Sequence, residues 1–186
     1  MMSRTPTLAA PSLGTAAAKV AAAVALLILS AKTTVPFWPV PMTMQVAAVF
    51  FIAGLGGLRL ASASLMTYLF AGALGLPVFA GTPEKGIGLA YMIGTTGGYL
   101  LGFLLAATLV GWARDRFGKT VAVALMPVGL GIVYVLGAAW LAQFVPADKV
   151  LAYGVTPFLL GDMCKIALAG LLTLAAPQAL RNFAKV

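Results

Sequence analysis

Four stretches of this chain run for 24 to 28 residues without one charged side chain: 33–58, 60–83, 86–113 and 120–147. A charged group costs several kcal/mol at the centre of a bilayer, so charges mark where a membrane-embedded chain surfaces. Roughly 20 apolar residues cross the 30 Å hydrocarbon layer, and each stretch exceeds that. The composition leaves no soluble alternative. Hydrophobic residues make up 62% of the 186 and charged ones 9%, whereas a soluble domain carries roughly 25% charged residues. Two further segments, 13–31 and 155–178, complete a set of six expected spans; the others are placed at 43–58, 60–77, 88–112 and 120–144. The expectation is an all-α integral membrane protein forming one domain over 1–186.

The basic residues fix the expected orientation. Six spans put Arg4, Lys19, Arg59, Arg114, Arg116, Lys119, Arg181 and Lys185 on one side and Lys32, Lys85 and Lys149 on the other. Basic residues accumulate on the cytoplasmic side, so both termini are expected there. The net charge of +8 therefore reads as topology, not as a nucleic-acid surface, because the basic residues are scattered singly. Lys19, the uncharged run that follows it and Leu29-Ser30-Ala31 imitate a secretory signal. The segment is read here as a retained first span, with Lys19 snorkelling at its starting end.

Small residues mark where helices approach closely in lipid. Ala17, Ala21 and Ala25 recur at spacing four in the first span, and Gly94, Gly98, Gly102 and Ala106 in the fourth. Spacing four aligns each set on one helical face. The glycine stripe reads as packing within the bundle. The alanine stripe, on a terminal helix, reads equally as packing or as a docking surface for another membrane protein.

Two connections on the expected external side are apolar and stiff. Residues 33–43 hold Pro36, Pro39 and Pro41 with Phe37 and Trp38, which rules out a helix. Residues 75–86 hold Pro77 and Pro83 between glycines. Backbone polar groups in such segments need protein partners, so both are expected to lie over protein, as lids or as simple packing against helix ends.

Asp162 and Lys165 lie inside the sixth span, three residues apart and so on one face. Ionisable residues inside a membrane are costly and generally mark function, although a structural brace between helices would use the same pair. As a clamp, the carboxylate accepts N–H donors and the ammonium donates to a carbonyl or carboxylate. Thr43, Gln45, Tyr91, Thr95, Thr96 and Tyr99 are polar groups expected near the same level.

Catalytic equipment is sparse. With no histidine, a Ser–His pair and an imidazole metal site are excluded. Of the four acidic residues only Asp162 lies inside an expected span, so paired carboxylates are not expected. A Ser–Lys dyad on Lys165 finds no serine near it in that helix. Ala113 to Thr120 loosely imitates a phosphate loop, but it lies in a charged turn between two spans, with no strand before it. Capture of a small solute is the expectation. A membrane-embedded enzyme acting on lipid, or an assembly subunit, is the alternative.

Taken together, these motifs resemble the BioY family, the biotin-specific substrate-capture (S) components of energy-coupling-factor (ECF) vitamin transporters. The resemblance rests on Pro39-Val40-Pro41-Met42-Thr43-Met44-Gln45, on Gly72 to Gly81, on Gly94 to Phe103 and on Gly161-Asp162-Met163-Cys164-Lys165, and it runs from about residue 15 to 180. Where the family pattern has a glycine–proline pair, this chain has Thr95-Thr96. The resemblance implies a six-helix protein of the bacterial cytoplasmic membrane that binds biotin with no other cofactor. Its site would comprise Asp162, Lys165, Thr43, Gln45, Phe37, Trp38, Phe79, Tyr99, Thr95 and Thr96. Asp162 would take the ureido N–H groups, and Lys165 either the ureido carbonyl or the valerate carboxylate. It also implies that Ala17, Ala21 and Ala25 dock a transmembrane coupling subunit joined to two ATPase subunits, which alone use ATP. The same architecture serving another vitamin remains open.

Overall fold

The computed structural model describes residues 13–35, 38–177 and 180. The expected positions Phe37, Arg4, Arg181 and Lys185 lie outside them. The fold is almost wholly helical: α1 (Leu13–Lys32), α2 (Gln45–Ala73), α3 (Gly88–Met92), α4 (Gly97–Phe117), α5 (Lys119–Ala124), α6 (Met126–Leu141), α7 (Val150–Gly154) and α8 (Thr156–Ala175). Among the described residues, five helical runs are long and apolar enough to cross a membrane: Leu13–Lys32, Gln45–Ala73, Gly97–Phe117, Lys119–Leu141 and Ala147–Ala175.

Five runs replace six expected spans because α2 contains two of them. Gly57 interrupts it with φ 75° and ψ −169°, a conformation that a side chain disfavours. Gln45 Nε2 donates to Tyr68 Oη at 3.0 Å across 23 positions, which a straight helix would hold about 34 Å apart. The chain therefore doubles back at Gly57, and the arms 45–56 and 58–73 lie side by side. Asp115, near the end of α4, accepts the Leu58 N–H at 2.9 Å and caps the second arm where it starts.

The expected fourth span, 88–112, is also broken. Its first residues form the short α3 and a turn, and the long helix begins at Gly97. Gly94 thus leaves the expected stripe, and its carbonyl accepts the Trp140 indole N–H at 2.9 Å. Gly98, Gly102 and Ala106 remain buried on α4. A Cβ at Gly98 would meet Leu136 and Trp140, and one at Gly102 would meet the Val133 backbone. This close approach of α4 to α6 is what small residues allow where lipid supplies no hydrophobic drive between helices.

Among the described residues, the segment after α1 is non-helical, as its prolines predict. Thr34–Val35 (β1) and Met42–Thr43 (β2) pair antiparallel, Thr34 opposite Thr43, and fold the strap back over the bundle. In α1 the most apolar window is 17% buried, against 61% in α2. It is the peripheral helix, and its buried side includes Lys19, Ala23 and Leu27. Lys19 consequently faces protein instead of snorkelling. Gly102→Ala is expected to destabilise the detergent-solubilised protein by about 1–3 kcal/mol through overpacking. Gly131→Ala, with nothing within 4 Å of its new methyl, should leave the thermal melting midpoint unchanged.

Candidate functional site

A cavity opens beneath the strap, between the first turns of α2, α4 and α8 and the middle of α6. Val40, Pro41 and Thr43 of the strap and Ala80 of the 74–87 connection line its upper part. Gln45, Val46, Tyr91, Thr96, Tyr99, Leu100, Phe103, Val133, Tyr134, Phe158 and Asp162 line the remainder. The space not filled by protein atoms is about 540 Å³ including the open mouth.

Asp162 is six residues into α8, about 9 Å from the start of the helix. It is 5% exposed. Lys165 Nζ donates to its Oδ1 at 2.7 Å, and the Tyr134 hydroxyl donates to its Oδ2 at 2.9 Å. A carboxylate oxygen accepts about two hydrogen bonds, so each of these keeps capacity for one more. Lys165 does not line the cavity; it neutralises from behind the carboxylate that does.

Most other polar groups are already engaged with backbone. Tyr99 donates to Gly154 O at 2.7 Å, Tyr91 to Ala80 O at 2.9 Å and Tyr68 to Val78 O at 3.2 Å. Burial raises the pKa of the Tyr91 phenol, an effect partly opposed by a hydrogen bond with Thr96, so it remains a protonated donor. What faces the cavity uncommitted is acceptor-rich: the free lone pairs of Asp162, and Gln45 Oε1, whose one neighbour is the Thr43 hydroxyl at 3.5 Å. The walls are apolar and aromatic, through Val46, Leu100, Phe103, Val133 and Phe158. Such a cavity suits a small, neutral, partly apolar ring bearing N–H donors.

Of the expected site residues, Asp162, Thr43, Gln45, Tyr99 and Thr96 come together here. Thr95 holds the strap, its hydroxyl donating to Pro39 O at 3.1 Å. Phe79 is buried beneath the lining, edge-on to Tyr68 and stacked on Tyr91. Trp38 is 71% exposed and touches Tyr153. Tyr134 is the cavity-lining polar group that sequence reasoning missed. Its one signal was a hydroxyl in the middle of an otherwise apolar span. On the far side of the molecule, Ala17, Ala21 and Ala25 line an open groove with Val20, Val24 and Ile28 of α1 and Ala63 and Thr67 of α2.

A helical bundle with five membrane-length apolar runs and an acceptor-rich cavity beneath a strap, among the described residues, sets the class: a multi-pass membrane protein with room for a small solute. The comparisons make the class specific. The BioY family model matches residues 4–182, and the chain belongs to that family. It is 37% identical over 150 residues to a probable biotin transporter BioY of Pyrococcus horikoshii, covering 81% of this chain and 88% of that one. It is 38% identical over 154 residues to the biotin transporter BioY of Thermotoga maritima, with the same coverage of 81% and 88%. A solved S-component for biotin from an ECF-type ABC transporter shares the fold with a TM-score of 0.75 at 23% identity, over 88% of this chain and 93% of that one.

Removing one partner of a buried ion pair leaves an uncompensated charge and costs about 3–5 kcal/mol. Lys165→Met strands the more deeply buried member and is expected to lower the melting midpoint more than Asp162→Asn does. Differential scanning fluorimetry at neutral pH checks the order.

Proposed function

We propose that this chain is the substrate-capture subunit of a biotin uptake system, holding biotin in the cavity beneath the strap. The observation that carries the reading is Asp162, a buried carboxylate with unused acceptor capacity in an apolar cavity, within a family whose characterised names are those of biotin transporters. The ureido ring of biotin is neutral and presents two N–H donors. Those donors meet Asp162, while the thioether ring and the valerate chain pack against Phe103, Phe158 and Val133. Lys165 supplies the countercharge to the Asp162 carboxylate. Tyr134 fixes the rotamer of the carboxylate.

Counting the two arms of α2 as separate passes gives six membrane crossings, with both termini on the cytoplasmic face and the strap outside. The bundle then forms a single domain delivering biotin across the cytoplasmic membrane. Energy comes from other chains: the groove along Ala17, Ala21 and Ala25 admits a helix of a transmembrane coupling subunit, with two ATPase subunits behind it. Smooth alanine stripes of this kind permit close helix approach in lipid.

Equilibrium binding of biotin to the purified protein in detergent tests the assignment. Losing a hydrogen bond to a charged group costs about 1.5–3 kcal/mol, so Asp162→Asn is expected to weaken binding at least tenfold. Tyr134→Phe should weaken it less. Equal affinity in Asp162→Asn and wild type rejects the site, and no binding to folded wild type rejects the substrate. Ala21→Leu should preserve biotin affinity and abolish co-purification with the coupling subunit.

A further inference from the structure

Lys32, the last residue of α1, reaches away from its own helix. Its Nζ donates to Thr82 O at 2.7 Å and lies 2.9 Å from Thr82 Oγ1, 50 positions along the chain. A cation at a helix C-terminus ordinarily serves that helix's own carbonyls. Among the described residues Lys32 forms no ion pair, and the bonds in which it engages both go to this one threonine. Thr82 is 6% exposed, and its hydroxyl donates to Phe79 O at 2.7 Å, tightening a turn that contains Ala80. Ala80 lines the cavity.

The same turn of α1 also holds the strap. The Met44 N–H is shared between Ser30 O and Thr33 O, each at 3.2 Å. Both segments that roof the cavity are therefore tied to the end of one helix: the strap by backbone continuity and backbone bonds, the 74–87 connection by a single side chain. That helix is the peripheral one.

We infer that Lys32 is a latch: a positioning residue that holds the Ala80 turn down over the cavity and so sets how long a bound ligand stays. The ligand statement rests on the biotin reading above; the latch itself does not. A charge-assisted hydrogen bond is roughly twice as strong as a neutral one, and no other side chain bond joins α1 to the turn among the described residues. A tilt of α1 is consequently felt at the Ala80 part of the cavity roof through this one side chain, while the floor at Asp162 and Tyr134, on α8 and α6, is left in place.

A ligand-free measurement tests the latch. In a Cys164→Ala background carrying Ala80→Cys, the rate of modification by a polar maleimide reports how often the turn lifts. Lys32→Met, which keeps the alkyl stem and removes the donors, is expected to raise that rate about tenfold, with Lys32→Arg close to the parent. Thr82→Val, which spares the carbonyl acceptor, should fall between them. In protein without these cysteine changes, Lys32→Met should speed biotin dissociation by a similar factor while the melting midpoint stays within a few degrees of wild type. Unchanged labelling in both Lys32→Met and Thr82→Val, in protein that melts as the parent does, overturns the latch. Labelling needs no biotin, so failure of the biotin reading is seen separately, as absent binding in wild type.

Discussion

A carboxylate buried in a membrane bundle has to be neutralised before anything can be built around it, and the way Asp162 is neutralised shapes the cavity. Lys165 sits one helical turn along the same helix, so the countercharge arrives from α8 itself and needs no partner from the cavity side. Tyr134 reaches across from α6 to the other oxygen. Lys165 lies outside the cavity lining, and Tyr134 forms part of the cavity wall beside the carboxylate. The charge is compensated from outside the cavity and from its wall, and each carboxylate oxygen keeps acceptor capacity that a ligand with N–H groups can use. Had Lys165 lain in the cavity, the same pair would have offered a mixed surface with much less preference for donors.

The second constraint is the backbone of the non-helical segments. In and near the bilayer, free N–H and C=O groups cannot rely on water. The chain satisfies them with aromatic hydroxyls and threonines: Tyr91 serves Ala80, Tyr68 serves Val78 and Thr95 serves Pro39, while Tyr99 serves Gly154 at the end of the short α7. These side chains are mostly unavailable to a ligand for that reason, and so the uncommitted polarity of the cavity concentrates at Asp162 and Gln45. The apolar loops and the selective cavity have one cause, the scarcity of alternative partners for polar groups at this depth.

Much of this was legible in the sequence because charge is so expensive in lipid. The gaps between charged residues located most of the long apolar helices, and the i, i+3 spacing of Asp162 and Lys165 put them on one face of one helix. The prolines between Pro36 and Pro41 excluded a helix there, and the alanine spacing found the groove on α1. What stayed hidden depends on distance between segments. Hydropathy does not distinguish a helix that doubles back at Gly57 from one that surfaces between two separate spans. Gly94 matched the period of α4, but the indole of Trp140, 46 positions away, binds its carbonyl in a turn. Phe79 looked like a wall residue because it is aromatic and sits in a loop beside lining residues, yet it is used underneath, between Tyr68 and Tyr91. Tyr134 gave no periodic signal, since its importance lies wholly in what faces it.

Capture by this cavity depends on donors from the ligand meeting acceptors from Asp162, and the ligand side can be altered without touching the protein. Biotin methylated at one ureido nitrogen keeps the carbonyl, the thioether and the valerate chain and lacks one donor. Calorimetric titration of the wild-type protein with both compounds is the most direct test. Affinity lower by at least tenfold for the methylated compound, with that difference shrinking in Asp162→Asn, is the result expected if Asp162 accepts the ureido N–H. Equal affinity for the two compounds in wild type would contradict it.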